Sequence, residues 1–425
     1  MSRNLIQRPR FFIDFPQYWR TKGIFSKAQY GYNDHIDNDR DEPIDPTLFG
    51  LEFNNQFETT APAGEEVFDV RIWLNGDSET GTSYYNSSPM EAVNELNQIN
   101  YCAIFGHNFN TENLVVIPKV FRGQESSTSV TAISADNLEE VFNCNLIKPG
   151  DLNDNYCSPI HNGTSIFKFN GWKSELTETD ATGQTVGAVQ ALRLVFRKKD
   201  GSNFTGNEII SFSGVSFGRT YTLPRSPDLK TSIAYDYGIK SQQSIDGTTF
   251  EQIDWLEPKK LPTGLPAFYV NDNYEPNLDY NTNYLQGEDR NMITATGRRT
   301  WTMKFTALAN TDVFPGNRME SFYADSIESG SETNGGYDAA EFVEKNSIKY
   351  FNKNISTDTS LYSMLLNRTL GGSLPMIYQS FTDASGYGDN NSGEFALVKL
   401  GSRGLQFNIQ SFNTYNVGLT VRESW

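Results

Sequence analysis

Hydrophobic and polar positions alternate with a period of two along much of this chain, and few stretches carry the 3.6-residue spacing of an amphipathic helix. Residues 67–73, VFDVRIW, alternate imperfectly up to the turn at Asn75-Gly76 and predict a strand. Residues 101–105, YCAIF, and 114–117, LVVI, are continuous apolar runs of the kind found in buried strands. They bracket the loop Gly106-His107-Asn108-Phe109-Asn110. Alternation resumes over residues 192–196, 209–217 and the GRTYTL run ending at Leu223, so the N-terminal half reads as a β-sandwich of about eight strands. Pro224 and Pro227 mark its exit. A second β-rich part follows, with Trp301, Met303 and Phe305 on one face of residues 300–305 and a final alternating pair at 405–409 and 415–421. Helices are few and short. Ser88, Pro89 and Glu91 give an N-cap, a first-turn proline and an acidic third position for a segment ending near Leu96. Residues 338–344 and 357–366 are further short helices, and 326–336 is a Ser/Gly/Glu loop.

The N-terminus departs from this pattern. Residues 8–20, RPRFFIDFPQYWR, crowd rings between basic residues, with Pro9 and Pro16 interrupting a continuous helix. The segment reads as an extended arm whose Phe11, Phe12, Phe15, Tyr18 and Trp19 dock on the body or on a neighbouring subunit. The acidic residues 33–45 lack the glycine and terminal glutamate of a calcium-binding loop at the required spacing and read as a solvated loop. The expected organisation is therefore an arm and acidic loop over 1–45, a sandwich over 46–224 and a second β-rich domain over 225–425.

Composition narrows the function classes. Aromatic residues make up 13% of the 425 positions, which suits strands and interfaces. A formal net charge of −17 repels nucleic acid, so no nucleic-acid partner is expected. The chain has no apolar run long enough for a membrane span and no apolar segment behind its first basic residues, so it is expected to be made in a cytoplasm without membrane contact. Cys102, Cys144 and Cys157 form neither a CxxC pair nor an even set and read as ordinary thiols.

Recognisable chemistry is scarce. The three histidines, His35, His107 and His161, share no helical ligand spacing, and neither HExxH, GxxxxGK[ST] nor a strand-following GxGxxG occurs. No catalytic, cofactor or metal residue is assigned, and the chain is expected to be non-catalytic. Glycan cleavage by paired carboxylates is an unspecific alternative among 52 acidic residues. Binding of a surface glycan by rings such as Tyr85, Trp172 and Trp255 is a more specific one. His107 is expected to satisfy loop backbone groups and fix a strand connection rather than to act on a ligand.

Four segments carry a family resemblance. Residues 100–110, NYCAIFGHNFN, followed by an apolar strand, resemble a strand-GHN-strand signature in virion proteins of tailed bacteriophages. Residues 212–227, FSGVSFGRTYTLPRSP, look like the closing strands of galactose-binding-like jelly rolls in such proteins. Residues 297–305, GRRTWTMKF, and the ending YNVGLTVRESW are similar to tail or neck proteins. The resemblance implies a jelly roll present in symmetric copies in the tail, baseplate or neck, whose partners are copies of itself and adjoining virion proteins. A capsid-decorating or receptor-binding virion protein is the alternative. Its place would be the virion, assembled in the host cytoplasm. The arm rings and the terminal Trp425 are the expected interface residues.

Overall fold

The N-terminal segment lies at the centre of the fold rather than reaching out of it. A computed structural model describes residues 8–23, 25–32, 42–74, 99–122, 130–132, 138–147, 156–169, 189–253, 259–264, 266–271, 297–315, 359–380, 394–401 and 405–424. Strand β1 (Arg10–Asp14) is almost wholly apolar because it has neighbours on both edges and packing on both faces. Helix α1 (Phe15–Lys22) begins directly after it. The Asp14 carboxylate accepts from the Gln17 N–H at 3.0 Å as the N-cap, and Pro16 stands in the first turn, where its missing N–H leaves nothing unpaired. Gly23, at φ 69°, closes the helix in the left-handed region. Pro16 thus starts a helix instead of blocking one, and the extended arm is corrected to a strand and helix of the core.

Seven further strands complete a sandwich with β1: β2 (Phe68–Leu74), β3 (Tyr101–His107), β4 (Leu114–Arg122), β5 (Tyr156–Pro159), β6 (Asn162–Phe169), β7 (Val189–Lys198) and β8 (Gly214–Thr222). One sheet runs β1-β8-β3-β6 and the other β2-β7-β4-β5, all antiparallel. Successive strands alternate between the two sheets except β4 and β5, which pair within the second, and this is the connectivity of a jelly roll. Its first strand is β1, so the sandwich begins at residue 10 rather than 46. The inner faces meet through Ile13, Cys102, Ile104, Phe167 and Phe217 from one sheet and Phe68, Val70, Ile72, Leu194 and Phe196 from the other. A strand at Phe25–Gly31 adds to the open edge of β2. Gly218 lets β8 approach β1, since a Cβ there would collide with the Ile13 carbonyl oxygen.

The second β-rich part is continuous with the first. Strands β9 (Ser232–Asp236), β10 (Arg298–Ala309), β11 (Met376–Gln379), β12 (Phe395–Leu400) and β13 (Thr414–Glu423) extend the first sheet in the order β9-β10-β13-β12-β11-β1. Phe12 of β1 pairs with Ile377 of β11 on one side and Thr220 of β8 on the other. Rings bridge the same seam, with Phe11 at 5.2 Å and Trp301 at 4.9 Å from Tyr378. The buried Arg368 guanidinium, just beyond a π-helical turn at Tyr362–Asn367, lies over Phe15 at 5.0 Å and Tyr18 at 5.3 Å. The sheet thus crosses the expected boundary at residue 224 without a break.

The outward-pointing residues of β2 and β7 are not in water. Asp69, Arg71 and Arg193 are buried; Asp69 Oδ2 accepts from Arg71 Nε at 2.6 Å and from Arg193 Nε at 2.7 Å. Val67, Val115, Ile117, Tyr156 and Val195 form a small apolar cluster on this face. The expected helices at 88–96 and 338–344, the loop at 326–336 and most of the acidic loop lie outside the described residues.

Candidate functional site

His107 and Ser165 are the pair that most resembles catalytic machinery. His107 ends β3, and its Nε2 lies 2.7 Å from Ser165 Oγ on β6. Its Nδ1 accepts from the Phe109 N–H at 3.4 Å, so Nε2 carries the proton and donates to Ser165. Ser165 in turn donates to the Asn143 carbonyl at 2.9 Å. The proton therefore runs from histidine to serine, opposite to what activating a nucleophile requires. Burial holds the His107 ring down at about 3, so it stays neutral, and it stacks on Phe109 at 4.6 Å. Asn143 finishes the knot by donating to the His161 and Thr164 carbonyls and accepting from the His161 N–H. The Gly-His-Asn segment is a structural pin, and Gly106, at φ 63°, makes the turn into it against Ser213.

A second buried polar group sits at the β1–α1 junction. Ser216 Oγ donates to Asp14 Oδ1 at 2.6 Å and lies 2.9 Å from the Tyr101 hydroxyl. Burial pushes the Asp14 carboxyl up to about 7, against the hydrogen bonds from Ser216 and the Gln17 N–H and the nearby Arg20 charge, while Glu52 adds to the rise. A carboxyl raised on folding binds its proton more tightly in the native state. Its stabilising contribution is full below the unfolded value near 4 and is lost as pH rises to about 7. Stability measured by urea unfolding is expected to fall across this window, and Asp14→Asn, which keeps an acceptor for the cap, is expected to flatten the profile. An unchanged slope in the variant would remove Asp14 as its origin.

Cys102, Cys144 and Cys157 share the core, and Cys144 Sγ donates to the Ile166 carbonyl at 3.3 Å. Burial pushes the Cys102 and Cys157 thiols up, which suppresses the thiolate. Among the described residues, no three His, Cys, Asp or Glu side chains converge on a metal position, and no helix is long and apolar enough to cross a membrane.

The expected interface residues fare differently. Phe11, Phe12, Phe15 and Trp19 are 0% exposed and Tyr18 is 7% exposed within a single chain, so their contact area is already used by its own core. This corrects their assignment as contacts to a neighbour. Trp425 lies outside the described residues, as do Tyr85, Trp172 and Trp255.

Exposed apolar and backbone surface collects elsewhere. Among the described residues, strands Ile239–Gln243 and Thr249–Ile253 pair only with each other, around a turn where Thr248 N–H reaches Asp246 Oδ1 and Gly247 takes φ 88°. Ile239 is 58% and Phe250 64% exposed on this hairpin, and Ile245 at its tip is fully exposed. The strand Gln406–Ser411 pairs with β13 along one edge, and among the described residues its other edge has no partner. Ile409 there is 76% and Phe412 92% exposed. Residues 405–421 contain no charged side chain and no proline, two of the usual guards of an open edge, although the register shifts between Ile409 and Ser411. The absence of charge across the two final alternating strands was visible in the sequence and is the signal that marks this surface.

Comparison of the chain with protein-family models, with curated proteins and with solved structures finds no match in any of the three.

Proposed function

We propose that this chain is a structural subunit of a tailed-phage virion, in the tail, baseplate or neck, acting through assembly with copies of itself and with adjoining virion proteins and without turnover. The observation that carries this reading is the charge-free edge strand Gln406–Ser411, whose outer side has no partner among the described residues, together with an exposed apolar hairpin at 239–253. Soluble proteins blunt such edges unless another chain covers them. The phage-like segments at 100–110, 212–227 and 297–305 supply the virion context by resemblance. The net charge of −17 keeps unassembled subunits apart and soluble. Quantitative mass spectrometry of gradient-purified particles tests the reading: the chain is expected in a fixed multiple of copies per particle, retained through high-salt washing. A chain found in infected cells and missing from particles would refute it.

A further inference from the structure

We infer that the 239–253 hairpin of one copy adds as a strand to the Gln406–Ser411 edge of the next copy, in a head-to-tail contact between identical chains. The inference rests on the assembly reading above and specifies its partner.

An isolated two-stranded hairpin is marginal in water, so a ribbon exposed on both faces needs a third strand to be stable. The edge strand supplies one of matching length, six residues against five in each hairpin strand. Strand addition satisfies the open backbone groups of both, and Phe250 or Ile239 meets Ile409 and Phe412.

The two surfaces lie at opposite ends of β10. Asp236, from which the chain runs on into the hairpin, pairs with Arg298 at the start of β10. The edge strand lies beside the part of β13 that pairs with Lys304 through Ala309, at the far end. The near end of the edge, beside Lys304, lies roughly 20 Å along β10 from Arg298, and β9 runs toward the start of β10, away from that edge. Within one chain the hairpin pairs with itself and not with that edge, yet the chain carries both halves of the contact. Such a heterologous contact builds a ring where the rotation closes and a filament where it does not. Charge favours a second copy at this place: chains of net charge −17 repel one another over most of their surface, and a strip without charge removes that repulsion locally.

The test uses the full chain and two variants. One replaces residues 239–253 with a short Gly-Ser link; the other carries Ile409→Glu and Phe412→Glu. Both changes lie outside the core, so both variants are expected to keep the melting temperature of the parent. Light scattering after size exclusion should show the parent in higher-order species and each variant as a monomer. An equimolar mixture of the two should double that mass, because the intact edge of one accepts the intact hairpin of the other. Variants that assemble like the parent would place the contact elsewhere, overturning this inference while leaving the assembly reading intact. A parent that stays monomeric would overturn the self-contact, and particle composition would then decide the assembly reading separately.

Discussion

Removal of residues 1–20 is expected to abolish cooperative folding, not merely to detach the chain from a partner. The deletion takes away β1, which pairs with β8 on one edge and β11 on the other, and most of α1. With them go Phe11, Phe12, Phe15, Tyr18 and Trp19, all buried. Truncating a single core phenylalanine or tryptophan to alanine costs about 3–5 kcal/mol, and a whole domain is stable by only about 5–15 kcal/mol. The loss of several such rings, together with two ladders of backbone hydrogen bonds, exceeds that margin. Thermal melting followed by near-ultraviolet circular dichroism should show no cooperative transition in the truncated chain. The milder Phe11→Ala should retain a transition, lowered by about 3–5 kcal/mol. A truncated protein that melts cooperatively near the parent temperature would show that β1 is dispensable.

Asp69→Ala is expected to be the most damaging single change of a charged residue. Its carboxylate lies between the Arg71 and Arg193 guanidiniums, 2.6 and 2.7 Å away, and all three side chains are buried. Alanine leaves two buried cations facing each other across paired strands, where Arg71 is directly opposite Arg193. Breaking a buried ion pair by removing one member costs about 3–5 kcal/mol because the remaining charge stays desolvated. Urea unfolding measures this directly. A loss of less than about 1 kcal/mol would indicate that the two arginines are held by other groups.

Most of the sheet was legible from alternation, and the misreadings have physical causes. Residues 67–73, 101–105, 114–117, 192–196 and 300–305 fall on strands where their patterns place them. The β1 residues were read as an arm because a strand buried on both faces has no alternation, and because two prolines next to rings look like a break. Asp69 and Arg71 alternate with Phe68, Val70 and Ile72, a pattern that implies an outward face in water; here that face is buried, with Asp69 paired to Arg71 and Arg193. His107 meets a loop backbone group through Nδ1, as expected, whereas Nε2 bonds Ser165, 58 residues away, a tertiary contact that no local pattern encodes. The hairpin at 239–253 carried an Asp-Gly turn signal at 246–247 between polar-rich flanks, too weak in hydrophobic alternation to mark a strand pair.

The central place of β1 also sets a timetable for biosynthesis. Phe12 leaves the ribosome well before its partners Thr220 and Ile377. At about 5–20 residues per second, Ile377 emerges roughly 20–70 s after Phe12. Until β8 emerges, a nascent segment rich in Phe, Tyr and Trp lacks its β8 partner, and the jelly roll cannot close. The jelly roll therefore closes only through long-range pairings, which form slowly. Its yield in any host depends on how well β1 and α1 are shielded while their partner strands are being made.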